Sequence, residues 1–306
     1  MILVTGANGF LGKKVVACLT AKKRDVVQLH RGSSLMVGED RWEADLTNRD
    51  HVRALMQSPR TPHTIIHLAG RIEISLRSDP RSPLMPPLPG TEDIHATYLV
   101  NIIATANMLE YGLHKGVKHI IYASSQAVYG LPADRILTER SACLPLEHYA
   151  ASKLCGEQIL QVGARQGIVA TALRFPGLYS DDRPNGVVYN FCMSALRTGQ
   201  ITVTADLPLP LDVIHVDDVT DAIERSVRCT EEQWSCLNIA TGEPCSLDLL
   251  ADSVAELVPG CTVKHAAIPQ PVVCMDASKA GTLLGWRALP RRERLSHMIN
   301  KLRTTI

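Results

Sequence analysis

Apolar residues in the first half of the chain arrive in short runs. Ile2–Val4, Val26–Leu29, Thr64–His67, His119–Ala123 and Val169–Arg174 are each too brief for a helix and suit strands buried on both faces. Between them the apolar positions spread to helical spacing, over Leu11–Leu19, Asp50–Met56, Thr97–Tyr111 and Tyr149–Ala164. Strand and amphipathic helix in alternation predict an α/β fold, a doubly wound parallel sheet. Such sheets bind ligands at the carboxyl ends of their strands, so the residues just past each run are the first candidates for chemistry.

The pattern loosens further on. A helical segment at Val188–Leu196 is followed by LPLPL at 207–211, a strand and helix over Asp212–Arg225, and helical patterns at Ser246–Leu257 and Asp276–Leu284. Residues 1–175, with roughly 211–240 crossing back, are expected to form a nucleotide-binding domain. Residues 176–210 and 241–306 are expected to form a smaller substrate-binding domain. No internal repeat has a fixed period. DPRSPLMPPLPGT, Asp79–Thr91, has five prolines in thirteen positions, which excludes helix and central strand. Following a strand end, it belongs on the binding rim, as a stiff surface loop or as a lid over substrate.

Composition removes several function classes. The 306 residues are 45% hydrophobic and 21% charged, the balance of a globular chain with a real core. A net charge of +1 with scattered basic residues gives no nucleic-acid footprint. No run of about 20 apolar residues suits a membrane span, and the opening MILVTG has no leader-like charged region. The nine cysteines are odd in number and contain no CxxC, which speaks against a disulfide framework or a zinc site. A reducing, cytoplasmic setting is expected.

TGANGFLG, Thr5–Gly12, lies between the first strand and the first helix. Gly6 permits the tight turn, Gly9 the approach of a pyrophosphate to backbone, and Gly12 close helix–sheet packing. Phosphates would then rest on free amides at the helix start, with Asn8, Phe10 and Leu11 beside them. This predicts a Rossmann-type dinucleotide site. An NAD site normally has an acid ending the second strand, to accept hydrogen bonds from the adenosine ribose. Here VVQLHRGSS puts His30 and Arg31 in that place, and Asp25 is at the wrong end. Arg31 can hold a 2′-phosphate through two N–H groups. Ser33 and Ser34 add hydroxyls, and Lys13 and Lys14 add charge. NADP(H) is therefore expected over NAD(H).

Tyr149 and Lys153, in YAASK, fall one helical turn apart and on one face. A cation near a phenol lowers its pKa and fits it for proton exchange near neutrality. Lys153 can also hold the nicotinamide ribose. A strand ending in Ser124-Ser125 precedes them.

These strings, nearly end to end, resemble the extended short-chain dehydrogenases/reductases of the NAD-dependent epimerase/dehydratase group. TGANGFLG resembles that family's TGxxGFxG. ADLTN carries the Asp45-Leu46 pair that flanks adenine there. HLAG contributes Leu68, Ala69 and Gly70 beside the cofactor. NIIATANMLE, ASSQAVYG, VIHVDDV, NIATGEPCSL and DASKAGTLLGW resemble further motifs. The resemblance implies that Ser125 hydrogen-bonds the reacting oxygen. Tyr149 would exchange the proton as hydride moves, and Lys153 would position the ribose and tune Tyr149. Pro176 joins the cofactor residues by the same route, and a homodimer through two helices beside the site is implied.

The departures are as informative. Family dehydratases carry Thr-Asp-Glu before VYG, and here Ser125, Gln126 and Ala127 leave no acid–base pair for dehydration. RFFNVYG becomes RFPGLYS, with Gly177 in place of a sugar-contacting asparagine. The RDF stretch becomes Leu211-Asp212-Val213, without its arginine, for which Arg183 or Arg197 could stand in. The Pro-rich stretch with Arg71, Glu73 and Arg77 is expected to build a private pocket instead, and Gln126 is a further substrate candidate beside Ser125. His215 with Asp217-Asp218 suits a strand-to-helix junction better than a metal site. The leading expectation is an NADP(H)-dependent reductase of a sugar-like ketone, such as a nucleotide-linked 4-keto-6-deoxy sugar. A nucleotide-sugar epimerase is the second reading, and a non-catalytic NADP-binding redox sensor the third.

Overall fold

Adjacent residues in each central strand go to opposite cores. In the computed structural model, Leu3, Ile65, Ile120 and Ala172 enter one buried cluster, while Val4, Ile66, Ile121 and Leu173 enter another. A strand covered on both faces has no polar side, which is why these runs are continuously apolar. Each such isoleucine or leucine stabilises the fold by about 1.5–3 kcal/mol. The structure describes residues 1–72, 93–132, 134–204, 212–265, 268 and 271–304. The Pro-rich stretch Asp79–Thr91, Glu73, Arg77 and Leu211 lie outside the described residues.

Among these, eight strands form one sheet in the order β12-β8-β6-β5-β1-β2-β4-β3. They are β1 (Ile2–Thr5), β2 (Val26–His30), β3 (Met36–Val37), β4 (Arg41–Glu43), β5 (Thr64–His67), β6 (His119–Ser125), β8 (Val169–Phe175) and β12 (Trp234–Asn238). The β3–β4 pair alone is antiparallel. Helices α2 (Arg49–Met56), α4 (Ala104–Lys115) and α5 (His148–Ala164) cover the face holding Leu3. Helices α1 (Phe10–Ala21), α7 (Val216–Ser226) and α9 (Ser278–Leu284) cover the other. Strand β12 follows α7 and pairs with β8, so the chain returns to the sheet after an excursion.

That excursion and the tail build a third core from α6 (Val187–Thr198), β10 (Gln200–Thr202), α8 (Leu247–Ala255), β13 (Thr262–Lys264) and α10 (Arg291–Arg303). Short parallel pairs, β9 (Gly177–Tyr179) with β11 (Val213–His215) and β7 (Ile136–Leu137) with β14 (Cys274–Met275), complete the strands described. Helix α10 escaped the sequence reading because its charges mask its stripe. Leu295, Met298, Ile299 and Leu302 are nonetheless buried at the spacing of one helix face.

The helix expected over Thr97–Tyr111 is not continuous. It begins as α3 (Ile94–Tyr98), widens into a π-helical turn at Leu99–Ile103, and resumes as α4. A π turn advances the helix by one extra residue, which no apolar periodicity announces, and such turns gather at functional sites.

Candidate active site

Strand register brings the predicted residues to one edge. Thr5, at the end of β1, pairs with His67 at the end of β5, and β6 continues past His67's partner Tyr122 to Ser125. The glycine loop springs from Thr5, Leu68–Gly70 follow His67, and Ser125 ends β6.

Gly6 takes a φ of +65°, and a Cβ there would come within 2.7 Å of the Ala69 amide nitrogen. A Cβ on Gly12 would stand 2.2 Å from the Gly6 carbonyl oxygen. Both positions therefore need glycine, one for conformation and approach, the other for packing. Gly9 precedes α1 with no side-chain cap. The first amides of the helix are left to an outside acceptor, a fit for a dinucleotide pyrophosphate. Asn8 and Gly9 are exposed there; Phe10 and Leu11 are half-buried.

A relay of hydrogen bonds braces this edge. The Ala69 amide donates to Thr5 Oγ1 at 3.1 Å, Thr5 Oγ1 lies 2.8 Å from His67 Nδ1, and His67 Nε2 lies 3.1 Å from Thr105 Oγ1. Thr105 donates in turn to the Asn101 carbonyl at 2.7 Å. Burial, with the field of Lys153 adding to it, takes His67 down to a pKa of about 3. The ring is neutral, and the donors on either side assign its proton to Nε2.

Asn101 sits in the π turn, fully buried. Its side chain accepts from the Arg71 amide at 2.8 Å and donates to the Arg71 carbonyl at 2.9 Å and to Ser152 Oγ at 2.8 Å. Ser152 donates to the Tyr149 carbonyl at 2.7 Å. Asn101 therefore ties the segment after β5 to the tyrosine's helix. Asn101 lies in NIIATANMLE, but the π turn that aims it is not written in the periodicity.

Ser125 caps a 3-10 turn, Gln126–Tyr129, accepting from the Ala127 amide at 3.2 Å. Tyr149 and Lys153 stand one turn apart on α5. The Lys153 ammonium is 4% exposed, donates to the Ala123 carbonyl at 2.8 Å, and lies 5.9 Å from the Tyr149 ring centre. Burial lowers its pKa to about 8, with Glu157 pulling upward. Burial also raises the Tyr149 phenol to about 12, against the pull of the Ser125 hydroxyl. That direction is opposite to the lowering expected from Lys153. The ammonium is turned to a carbonyl, and desolvation of the phenolate outweighs it. Gly70 abuts this group, since a Cβ would stand 3.0 Å from Lys153 Nζ.

Beneath lies a buried polar network. Glu157, one turn beyond Lys153, pairs with Arg174 through contacts of 2.6 and 2.9 Å and accepts from Ser124. Arg174 continues to Tyr129 Oη at 3.0 Å, and Tyr129 to Asn238 at 2.7 Å.

At the adenosine end, His30 is turned into the protein, and burial, followed by the charge of Arg41, lowers its pKa. Arg31 and Ser33 are exposed. Glu43, His30's register partner on β4, brings a carboxylate to Gly32, and Arg41 pairs with it at 2.5 Å. Burial works to raise the Asp45 pKa, but hydrogen bonds from Thr47 and the charge of Arg31 bring it down overall. Leu46 is buried beside it. The charge expected of Lys14 is taken up, since Asp182 pairs with it at 2.7 Å.

The residues given to substrate stand on several elements. Gln126 opens the 3-10 turn beside Ser125, and Arg71 follows Gly70 with its guanidinium 3.8 Å from Asp93. Pro176 is buried past β8, and Gly177 donates from its amide to the Asp212 carbonyl at 3.0 Å. Arg197 is exposed near the end of α6. Arg183 lies over the ring of Phe10, 4.8 Å away. His215 caps α7 by accepting from the Asp217 amide, and Asp218 pairs with Arg294 at 2.7 Å. Among the described residues no cluster of three or more His, Cys, Asp or Glu could hold a metal, and no helix is long and apolar enough to cross a membrane.

A glycine cradle beside a half-buried tyrosine and a buried lysine equips a protein to move hydride and proton together, the work of the short-chain dehydrogenase/reductase class of enzymes. The model of the NAD dependent epimerase/dehydratase family matches residues 2–240, and the chain belongs to that family. It is 30% identical over 240 residues to a UDP-glucose 4-epimerase of Mycolicibacterium smegmatis, covering 73% of this chain and 72% of the relative. It is 26% identical over 294 residues to GDP-6-deoxy-D-talose 4-dehydrogenase of Aggregatibacter actinomycetemcomitans, covering 93% and 91%. Among solved structures, MoeE5 in complex with UDP-glucuronic acid and NAD superposes with a TM-score of 0.75 at 28% identity, covering 100% of this chain and 99% of the other.

Proposed function

We propose that this enzyme reduces a keto group of a nucleotide-linked, 4-keto-6-deoxy type sugar at the expense of NADPH. The observation that carries the proposal is the end of β2, where His30 and the exposed Arg31 stand in place of a carboxylate and favour an exchanging NADPH. Tyr149, pushed up to about 12 by burial, is protonated through the neutral range and serves as the proton donor. The nicotinamide supplies the hydride. Ser125 donates a hydrogen bond to the carbonyl oxygen and orients it, and Tyr149 delivers its proton to that oxygen as negative charge develops. Lys153, charged below about pH 8, holds the ribose hydroxyls and favours the phenolate left behind. Gly6, Asn8, Gly9, Phe10, Leu11 and Gly12 would cradle the pyrophosphate. Asp45 and Leu46 would flank adenine, with Leu68, Ala69, Gly70 and Pro176 along the nicotinamide half.

NADP(H) is favoured by charge. No carboxylate ends β2, Glu43 is already paired with Arg41, and Arg31 forms no salt bridge among the described residues, although its charge reaches Asp45. The core of 176–204 and 241–304 would carry the sugar nucleotide. Exposed Ile103 and Val162, on the outer faces of the helices beside the site, support a homodimer. Nine free thiols support a reducing, cytoplasmic setting.

A second reading, epimerisation on a retained NAD, is favoured by the relative described as a UDP-glucose 4-epimerase. One experiment separates the two. The purified enzyme is titrated with NADP and NAD by calorimetry, then given a ketosugar-nucleotide panel with NADPH and, separately, a UDP-hexose with no free cofactor. Tighter NADP binding and NADPH oxidation are expected. Tighter NAD binding with turnover of the UDP-hexose would overturn the reductase.

A further inference from the structure

Residues 180–186, SDDRPNG, join β9 to α6. They leave the third core and lie on the first helix of the sheet. Asp182 pairs with Lys14 on α1 at 2.7 Å and with Lys301 on α10 at 2.6 Å, joining three elements at one carboxylate. Both lysines act through hydrogen bonds, Lys14 first, to lower the Asp182 pKa to about 2, so the carboxylate is charged at any working pH. The next residue is Arg183. Its amide donates to the Ser180 carbonyl at 3.3 Å, and its own carbonyl accepts from the Asn185 amide at 2.8 Å, so the turn is closed on either side.

Anchored this way, the Arg183 guanidinium is laid across the ring of Phe10 with 4.8 Å between them. Phe10 is the first residue of α1, immediately after Gly9, and its backbone belongs to the cradle described above. A guanidinium has five N–H donors in a planar fork that matches phosphate. Among the described residues no carboxylate pairs with the guanidinium of Arg183, and none of its N–H groups donates a hydrogen bond. A ring beneath a guanidinium fixes its plane and leaves its edge free for an anion. The ring it lies on opens α1, whose first amides have no side-chain cap.

We propose that Arg183 is a cofactor residue, adding its guanidinium to the dinucleotide pyrophosphate site at the start of α1. Asp182 is the anchor and Phe10 the platform. The inference rests on the dinucleotide site proposed above and extends it. The phosphate subsite is shared between the sheet and the third core, so occupancy by the cofactor ties the two together. It also assigns Arg183 away from the sugar-nucleotide diphosphate.

The test is direct binding to the full-length enzyme. NADPH affinity is read by the fluorescence of the reduced ring and NADP and NAD affinity by calorimetry. UDP is the probe for the sugar-nucleotide side, titrated into cofactor-saturated enzyme. Arg183→Gln is expected to weaken NADPH, NADP and NAD alike by roughly tenfold, the scale of one charge-assisted hydrogen bond at a half-exposed site. UDP affinity is expected to stay unchanged. Phe10→Leu, which keeps the backbone cradle and removes the ring, is expected to weaken the dinucleotides by about threefold, the scale of an exposed cation–π contact. Asp182→Asn should act in the same direction as Arg183→Gln. Unchanged dinucleotide affinity in a folded Arg183→Gln protein would overturn the proposal, whether or not UDP binding falls. Failure of the unsubstituted enzyme to bind any dinucleotide would instead remove the functional reading beneath it.

Discussion

Exchange of Glu157 for glutamine keeps the side chain's shape and removes one charge from the middle of the site's foundation. In the native enzyme Glu157 is 3% exposed and Arg174 5% exposed, and two nitrogens of the arginine contact its carboxylate. Burial alone would lower the Arg174 pKa, but the hydrogen bonds from Glu157 outweigh it and the net direction is upward. In Glu157→Gln the guanidinium therefore stays charged and keeps its buried place without a counter-charge. Removing one partner from a buried ion pair costs about 3–5 kcal/mol. At roughly 2–4 °C per kcal/mol for a large domain, the midpoint of thermal unfolding falls by roughly 6–20 °C.

The same substitution reaches Lys153. The negative charge one helical turn away opposes the effect of burial on that ammonium. Without it the Lys153 pKa moves further below about 8, and the alkaline limb of dinucleotide affinity moves to lower pH. Calorimetric unfolding and a pH series of binding constants read the two effects separately. A second variant separates lost charge from lost packing. Glu157→Leu combined with Arg174→Met replaces the pair by apolar groups and should recover most of the stability lost through the Arg174 guanidinium, which is then no longer buried without a counter-charge. It should not recover the pH profile. A Glu157→Gln protein that unfolds at the native temperature with an unmoved alkaline limb would refute the reasoning on both counts.

Tyr149→Phe should fold and bind dinucleotide normally while kcat falls by about 10²–10⁴-fold, the usual scale for a positioned proton donor. Steady-state kinetics beside a binding titration distinguishes this from loss of the site. Lys153→Met should weaken the dinucleotide yet unfold at a higher temperature near neutral pH, because a buried cation is replaced by an apolar chain. The sign follows from its depressed pKa: between about pH 8 and the unfolded value the unfolded chain binds more protons, so native stability gained from this group rises with pH. The stability advantage of Lys153→Met should accordingly shrink across that interval. Gly12→Ala should abolish dinucleotide binding or folding altogether, since its Cβ would lie 2.2 Å from the Gly6 carbonyl, and circular dichroism tells which. Asn101→Ala leaves the Arg71 backbone groups and Ser152 without their partner and should both raise KM and lower the unfolding temperature, read by steady-state kinetics and calorimetry.

What the sequence made legible was set by the range over which each feature is determined. The central strands, the glycine loop and the YAASK helix are local patterns, and their positions along the chain match the structure closely because burial on both faces leaves the strands no other composition. Features fixed by contacts far apart in sequence were out of reach. Nothing in LVNII marks the π turn that carries Asn101 into line with Arg71 and Ser152. The Tyr149 pKa was misjudged for the same reason, since spacing along a helix gives the distance to Lys153 but not the carbonyl of Ala123 that engages it or the burial that outweighs it. Lys14 looked like a free charge until residue 182 was folded against it, 168 positions away. Arg183 gives the sharpest case. Its place in the chain, just past RFPGLYS, pointed to the substrate side. Its place in space, over the first residue of the first helix, is what the proposed cofactor role rests on. Its neighbours in sequence named its domain, whereas the lysines that hold the carboxylate beside it come from two other elements, beyond the reach of any local pattern.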